Sequence, residues 1–152
     1  MNKNFTLSSA DFSDILNHRF SSGTDVQLVV TGNSMLPFLA DKRDKVILSP
    51  FSGKANKGDI LFYRRIDGRC VLHRVVKTDE KGIYFLGDSQ TAVEGPLSYD
   101  QVLAECNEVI RKGRRITRKS FVWLFFSHIW LNIIPLRQPI IKFIGKIKNS
   151  HK

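Results

Sequence analysis

The sequence is poor in cysteine and has no long apolar run. Cys70 and Cys106 are the two cysteines, with no Cys-x-x-Cys pair and no His/Cys cluster. A disulfide-rich miniprotein is therefore excluded, a structural zinc site is not expected, and two free thiols are the expectation. No segment reaches the about 20 apolar residues that a transmembrane helix needs. We also expect no secretory signal, because Asp11, Asp14 and Arg19 interrupt the N-terminal region.

Acidic residues are missing from the end of the chain. Residues 1–108 carry 13 Lys/Arg and 14 Asp/Glu, whereas residues 109–152 carry 11 Lys/Arg and no acid. The whole net charge of +10 therefore comes from the C-terminal tail. Such asymmetry is typical of proteins that contact an anionic partner, either a membrane or a nucleic acid.

The length and composition indicate one globular domain with its own core. The chain has 152 residues, of which 42% are apolar and 25% charged. Residues 1–24 predict a short N-terminal helix, because apolar side chains recur there at helical spacing. Residues 25–112 predict a β domain that would carry the active site, and residues 113–152 form a basic, apolar tail of helical character.

Short strands dominate the predicted β domain. Alternation and short apolar runs indicate strands near residues 26–30, 45–48, 59–63, 70–76, 83–86 and 103–110. Asp67-Gly68 lies between two of these strands and is a hairpin signal. The predicted fold class is therefore mainly β, a coiled antiparallel sheet or barrel with a short N-terminal helix and a C-terminal helical tail.

Three polar side chains of the predicted β domain are candidates for catalysis. Ser34 follows Gly32 in a turn-rich segment, and a serine hydroxyl becomes a nucleophile when a neighbouring base removes its proton. His73 lies inside an apolar strand, and an imidazole with a pKa near 6.5 suits such a base. Asp88 ends a strand and either orients His73 or holds the site together. The alternatives are a turn serine, a buried core histidine and a turn aspartate.

These segments resemble the signal-peptidase-like serine peptidases, a class that includes the LexA-type self-cleaving repressors. Residues 32–37 (Gly-Asn-Ser-Met-Leu-Pro), 57–60 (Lys-Gly-Asp-Ile), 73–76 (His-Arg-Val-Val) and 87–88 (Gly-Asp) occur in the order and spacing of that class. The resemblance covers about residues 26–110. It is closest to the endoplasmic-reticulum and archaeal branch, in which histidine stands where the bacterial enzymes carry lysine.

The resemblance implies a coiled, mostly antiparallel β fold and a serine endopeptidase. Ser34 would be the nucleophile, His73 the general base and Asp88 the third acid. Glu94 is the alternative acid, because it lies close to where the eukaryotic relatives place theirs. Gly32 replaces a serine that helps the oxyanion hole in some bacterial leader peptidases, which leaves backbone donors. A histidine base also predicts activity that falls below about pH 6.5.

The implied substrate is an extended peptide or precursor protein bound along a strand edge. The alternative is a peptide-binding module of the same fold that does not cut, attached peripherally to a membrane. No Gly-rich phosphate loop or EF-hand pattern occurs, so no cofactor or metal is expected. A third possibility, nucleic-acid binding through the tail, is not expected, because the aromatic residues there form one dense apolar block.

The tail combines that apolar block with flanking positive charge. Residues 121–136 are mostly apolar, and basic residues lie on both sides of them. The block is short for a membrane span and shows no orientation bias. Trp123 and Trp130 suit the depth of lipid headgroups, so we expect residues 111–152 to lie on an anionic membrane. A helix packed on the domain and a true span are the alternatives. The expected location is cytoplasmic, or peripheral on the cytoplasmic membrane.

Overall fold

A computed structural model of the chain describes residues 9–149 and shows a mainly β protein with helices at both ends. Helix α1 spans Ser9–Ser21. The strands are β1 Val26–Val29, β2 Asp44–Ser49, β3 Ile60–Arg64, β4 Cys70–Asp79, β5 Gly82–Leu86, β6 Glu94–Leu97, β7 Val102–Arg111 and β8 Arg114–Thr117. Helix α2 spans Phe121–Leu124 and continues in short helical turns to Asn132, and α3 spans Arg137–Asn149. Predictions for residues 1–8 and 150–152 lie outside the described residues.

The eight strands form one antiparallel sheet in the order β1-β2-β7-β3-β4-β5-β6, with β8 paired to β7. The mainly β, antiparallel prediction is therefore confirmed. Closure into a barrel is not, because β1 and β6 remain the two ends of the sheet across residues 9–149. The sequence did not predict β6 or β8. Strand β6 contains Pro96 and lies at an end of the sheet, where proline is tolerated in a strand. Strand β8 belongs to the segment that was expected to form a helical tail, and it extends the sheet by pairing with β7.

Two apolar clusters cover the sheet. The larger one joins residues of α1, β2, β3 and β7 to the loop that carries Ser34, with Phe38 and Leu39 fully buried. The smaller one lies on the other face and includes Leu61, Tyr63 and Phe85. The loop before β2 is thereby anchored at its apolar end, which leaves Ser34 at the border of the core.

The first half of the C-terminal tail is part of this core. Trp123 and Trp130 are each 3% exposed and pack with Phe126 around Phe38. Their assignment to the depth of lipid headgroups is therefore wrong in this structure, because burial of large aromatic rings against the sheet removes them from any surface. No helix among residues 9–149 is long and apolar enough to cross a bilayer.

Candidate active site

The loop of residues 31–39 presents the Ser34 hydroxyl at the end of β1. Gly32 has a φ of 81°, a left-handed conformation that glycine adopts without strain, and its N–H donates to Asp41 Oδ1 at 2.8 Å. The Leu39 N–H donates to the Met35 carbonyl at 2.8 Å and closes a helical turn. This conformation of Gly32 turns the chain out of the sheet just before Ser34.

A second turn, residues 87–90, holds the backbone of Ser34 in place. The Ser89 N–H donates to the Ser34 carbonyl at 3.0 Å, and the Ser89 hydroxyl donates to the Asn33 carbonyl at 2.9 Å. Gly87 lies so close that an added Cβ would overlap the Ser34 carbonyl oxygen. Glycine is required there by this close approach of two backbones.

Strand β4 brings His73 to Ser34. The hairpin between β3 and β4 pairs Arg64 with Cys70 and Leu61 with His73, so the register follows directly from the Asp67-Gly68 turn. His73 is 2% exposed, and its Nε2 lies 3.1 Å from Ser34 Oγ. The fold therefore brings together two predicted site residues that lie 39 positions apart.

Tyr63 and Glu94 complete the surroundings of the imidazole. Tyr63 is the diagonal neighbour of His73 across the β3–β4 ladder, and its hydroxyl lies 3.1 Å from His73 Nδ1. The same hydroxyl donates to Glu94 Oε2 at 2.9 Å, while Glu94 Oε2 itself is 3.9 Å from His73 Nδ1. Arg65 donates two hydrogen bonds of 2.7 Å to the Glu94 carboxylate. Glu94, the alternative acid predicted from the sequence, is therefore the carboxylate that lies beside His73.

These neighbours determine the charges in the site. Burial, followed by the positive charge of Arg65, lowers the pKa of His73 to about 4, against the attraction of Glu94. Burial and the Glu94 carboxylate raise the pKa of Tyr63. Burial raises the pKa of Glu94, but the hydrogen bonds from Arg65 and Tyr63 outweigh it and bring the pKa below its usual value. At neutral pH the imidazole and phenol are thus uncharged and the carboxylate is ionised.

Asp88 does not orient His73. Its carboxylate accepts two hydrogen bonds from Arg74, of 2.9 and 2.8 Å, in an ion pair with no solvent exposure. Successive side chains of a strand point to opposite faces, so Arg74 and its partner lie on the other face of β4 from His73. The prediction of Asp88 as the acid of the base is therefore wrong, and its other predicted role, holding the site together, fits the structure.

The C-terminal segment donates hydrogen bonds to the backbone carbonyls of the turn of residues 87–90. The Trp130 indole N–H donates to the Asp88 carbonyl at 2.8 Å. The buried Arg137 guanidinium donates to the carbonyls of Gly87 and Gln90, each at 3.1 Å. Gln138 donates to the Ser89 carbonyl at 2.6 Å. Residues 130–138 therefore contact the backbone that in turn holds Ser34.

A groove leads to Ser34 between β1 and the start of β4. It contains a cavity of about 180 Å³, lined by residues 28–32, Ser34, Met35 and residues 70–72 among others. Strand β1 pairs only with β2, and the ladder between β4 and β5 begins at Arg74. Among the described residues, both walls of the groove thus have a strand edge without a ladder partner.

Tyr63 is the residue of the site that the sequence analysis missed. The signal for it was available, because counting the ladder outward from Asp67-Gly68 makes Tyr63 a diagonal neighbour of His73. No cluster of three His, Cys, Asp or Glu side chains in residues 9–149 could hold a metal ion. Cys70, at the groove, and the buried Cys106 are both free thiols, as the sequence predicts.

The four segments that carry the resemblance lie at or beside this site. Residues 32–37 and 73–76 carry the Ser34–His73 pair, and residues 87–88 support the first of them. Gly58, in the remaining segment, accepts a hydrogen bond from Arg74 at 3.1 Å. A scan against family models and searches of curated proteins and of solved structures found no match to the chain.

Proposed function

We propose that this protein is a serine endopeptidase of the signal-peptidase-like class, which cleaves an extended peptide with a Ser34/His73 dyad. One observation carries the proposal: Ser34 Oγ lies 3.1 Å from the ring nitrogen of a buried histidine from a distant strand. That distance is within hydrogen-bond reach, as a nucleophile and its general base require. The order of the four motifs and the open antiparallel sheet add support to the class.

The proposed reaction uses groups of this chain alone. His73 Nε2 takes the hydroxyl proton as Ser34 Oγ attacks the peptide carbonyl, which forms a tetrahedral intermediate. Across residues 9–149 the Ser34 and Met35 amides donate to no backbone carbonyl, which leaves them for the oxyanion. The imidazolium then gives its proton to the leaving amine. Water, activated by the same imidazole, hydrolyses the acyl-enzyme and restores Ser34.

The groove supports an extended peptide as substrate. A strand edge without a partner binds an added strand through main-chain hydrogen bonds, and pockets for alternate side chains choose its sequence. The walls of the cavity beside Ser34 include apolar side chains, among them Leu28, Val30 and Leu72. We therefore expect apolar side chains at the position that enters this cavity.

The test compares the wild type with Ser34→Ala in labelling by a fluorophosphonate probe and in cleavage of a peptide library. We expect labelling and cleavage in the wild type and neither in the variant. Ser21→Ala is the matched control, because Ser21 is exposed at the end of α1. Labelling that persists in Ser34→Ala would contradict the proposal.

A second candidate is a peptide-binding module that does not cut. The observation that favours it is the lowered pKa of His73, about 4, which makes the free imidazole a weak base. Mass spectrometry of a groove-bound peptide after long incubation separates the two functions. Cleavage products that need Ser34 favour the peptidase, and an intact peptide with no labelling of Ser34 favours the binding module.

We also propose that the outer half of α3 attaches the protein to an anionic membrane. Ile140 and Ile141 pack against the core, whereas Phe143 and Ile147 are 65% and 45% exposed farther along the helix. Lys142 lies on the opposite face of this helix, as its position in the 3.6-residue turn dictates. An apolar face that leaves the core beside positive charge is typical of helices that lie in a bilayer interface.

Flotation with phosphatidylglycerol and phosphatidylcholine vesicles tests this attachment. We expect binding to the anionic vesicles that Phe143→Ser with Ile147→Ser abolishes and that high salt weakens. Ile66→Ser is the matched control, because Ile66 is 101% exposed on the β3–β4 hairpin. Equal binding to both vesicle types would contradict the electrostatic part, and binding to DNA without flotation would contradict the lipid assignment.

A further inference from the structure

The Tyr63 hydroxyl has one proton to give and lies between His73 and the Glu94 carboxylate, with the Arg65 guanidinium beside it. Its oxygen lies 3.1 Å from His73 Nδ1 and 2.9 Å from Glu94 Oε2. An ionised carboxylate accepts hydrogen bonds and donates none, so the phenol proton points to Glu94. The phenol oxygen is then an acceptor toward His73, so its 3.1 Å contact with Nδ1 needs an N–H on that nitrogen.

This direction determines which ring nitrogen of His73 carries the proton. A neutral imidazole has one N–H, and the Tyr63 oxygen requires it at Nδ1. The Nε2 atom is then unprotonated and accepts the hydroxyl proton of Ser34 across 3.1 Å. The series of hydrogen bonds that links Ser34 through His73 to Glu94 thus has one possible direction. That direction is determined by the ionised carboxylate, which accepts hydrogen bonds and donates none.

We propose that Tyr63 is a positioning residue that selects the Nδ1-protonated tautomer of His73. It lies between His73 and the Glu94 carboxylate, whereas in a Ser-His-Asp triad the carboxylate contacts the histidine directly. This inference rests on the proposed function. In that function the other tautomer is inactive, because its Nε2–H would donate to Ser34 Oγ and take no proton from it.

The tyrosine is held firmly enough for this task. Its ring stacks on Phe85 with 4.1 Å between the centroids, and the side chain is fully buried. Arg65 holds the Glu94 carboxylate through two hydrogen bonds of 2.7 Å, which keeps the acceptor oriented toward the phenol. Phe85 therefore holds the Tyr63 ring in place, and Arg65 holds the carboxylate that accepts the Tyr63 hydrogen bond.

The proton balance of the proposed step needs no transfer through Tyr63. The Ser34 O–H bond breaks and an Nε2–H bond forms, while His73 keeps the proton on Nδ1 and Tyr63 keeps its own. The resulting positive charge on the imidazole lies 3.9 Å from Glu94 Oε2, which stabilises it. Tyr63 thus orients the ring, and Glu94 acts on its charge.

The first experiment measures the tautomer by two-dimensional ¹H–¹⁵N NMR of the full chain labelled with ¹⁵N-histidine. His18, His128 and His151 are replaced by glutamine, so that His73 gives the remaining signals. We expect the Nδ1-protonated pattern at pH 7. An Nε2-protonated ring in this protein would overturn the proposal, whatever the activity.

The second experiment adds Tyr63→Phe, which keeps the ring that packs on Phe85. We expect the tautomer to change to Nε2–H and the rate of Ser34 labelling to fall about 100-fold, the range of a lost general base. Tyr99→Phe is the matched control, because Tyr99 is partly exposed and stacks on Phe51 away from the dyad. An unchanged tautomer in Tyr63→Phe would also overturn the proposal.

The two proposals fail in different ways. If Ser34 takes no label while His73 shows the Nδ1–H tautomer, the peptidase function fails and the assignment of the tautomer stands. If Ser34 is labelled while His73 shows the other tautomer, the peptidase stands and the role of Tyr63 fails. Should Tyr63→Phe not fold, the tautomer of the protein with native Tyr63 decides alone.

Discussion

Trp130 donates its indole N–H to the carbonyl oxygen of Asp88 at 2.8 Å, and both residues are buried. This contact ties the C-terminal segment to the turn of residues 87–90. The next residue of that turn, Ser89, holds the backbone at Ser34 by two further hydrogen bonds, from its N–H to the Ser34 carbonyl and from its hydroxyl to the Asn33 carbonyl. The side chain that the sequence analysis assigned to lipid is therefore a support of the candidate nucleophile.

Trp130→Phe tests this support. The variant keeps an aromatic ring but leaves the buried Asp88 carbonyl without its donor, which costs about 1–3 kcal/mol of unfolding free energy beyond the loss of ring area. Trp123→Phe is the control, since Trp123 is equally buried. Urea unfolding should show the larger loss for Trp130→Phe, together with slower labelling of Ser34. Equal losses in both variants would count against the contact.

Gly87→Ala should displace the loop of residues 31–39, which carries Ser34. The added Cβ overlaps the Ser34 carbonyl, so the turn and the loop must separate. We expect Ser34 labelling to be lost and the melting temperature to fall. Gly145→Ala makes the same chemical change in α3, where a Cβ meets no atom within 4 Å. There, helix propensity predicts a gain of about 0.5–1 kcal/mol.

Activity should survive well below the pH that an ordinary histidine allows. The pKa of His73 is lowered to about 4, so the imidazole stays neutral between pH 6.5 and that value. The rate of Ser34 labelling, measured from pH 8 to pH 3.5, should therefore fall near pH 4. The sequence alone predicted a fall below about 6.5, because it could not show how far His73 is buried. A midpoint at 6.5 would mean that the imidazole is solvated.

The same shift makes stability depend on pH. Below pH 6.5 an unfolded chain takes up a proton at His73, while the folded chain takes it up only near pH 4. Stability from this group is thus complete above pH 6.5 and is lost as the pH falls to about 4. The loss is about 3 kcal/mol for a shift of this size. Urea unfolding at pH 7 and pH 4 should show it in the wild type and not in His73→Gln.

The two acids near the site should respond differently to neutralisation. Asp88→Asn leaves Arg74 charged and buried, which costs about 3–5 kcal/mol of unfolding free energy. Glu94→Gln affects a partly exposed pair with Arg65, which contributes about 1 kcal/mol or less. Thermal melting therefore separates them. Glu94→Gln should stay folded and lower the pKa of His73 further, since its carboxylate favours the imidazolium. Similar melting temperatures would contradict this division.

Local patterns were enough to predict six of the eight strands, and the resemblance of four motifs to one family predicted that Ser34 and His73 lie together. Alternation along β4 and the Asp67-Gly68 turn depend on neighbouring residues, so the strands and the hairpin follow from the sequence. The motif around Ser34 depends likewise on Gly32 and the residues beside it. Strand β6 was not predicted, because Pro96 is disfavoured in strands unless an edge position is known.

Long-range pairing was what the sequence could not show. Asp88 was assigned to His73 because both lie in motifs of one family, yet alternation along β4 gives Asp88 to Arg74. Trp123 and Trp130 looked like membrane residues because a dense apolar block has the same composition in lipid and in a core. The two tryptophans are buried because the sheet and the loop of residues 31–39 provide an apolar surface against which they pack.

The contacts of Arg137 and Trp130 with the turn of residues 87–90 form only after Ser34 and His73 have been synthesised. During translation the ribosome completes Ser34 and His73 well before it reaches these two residues. The carbonyls of Asp88 and Gln90 lack these donors until then, and the Gly87 carbonyl has only the Gln90 N–H of its own turn among the described residues. A growing chain therefore carries Ser34 and His73 before the side chains that support them, and the pair gains that support only after residues 130–137 have been made.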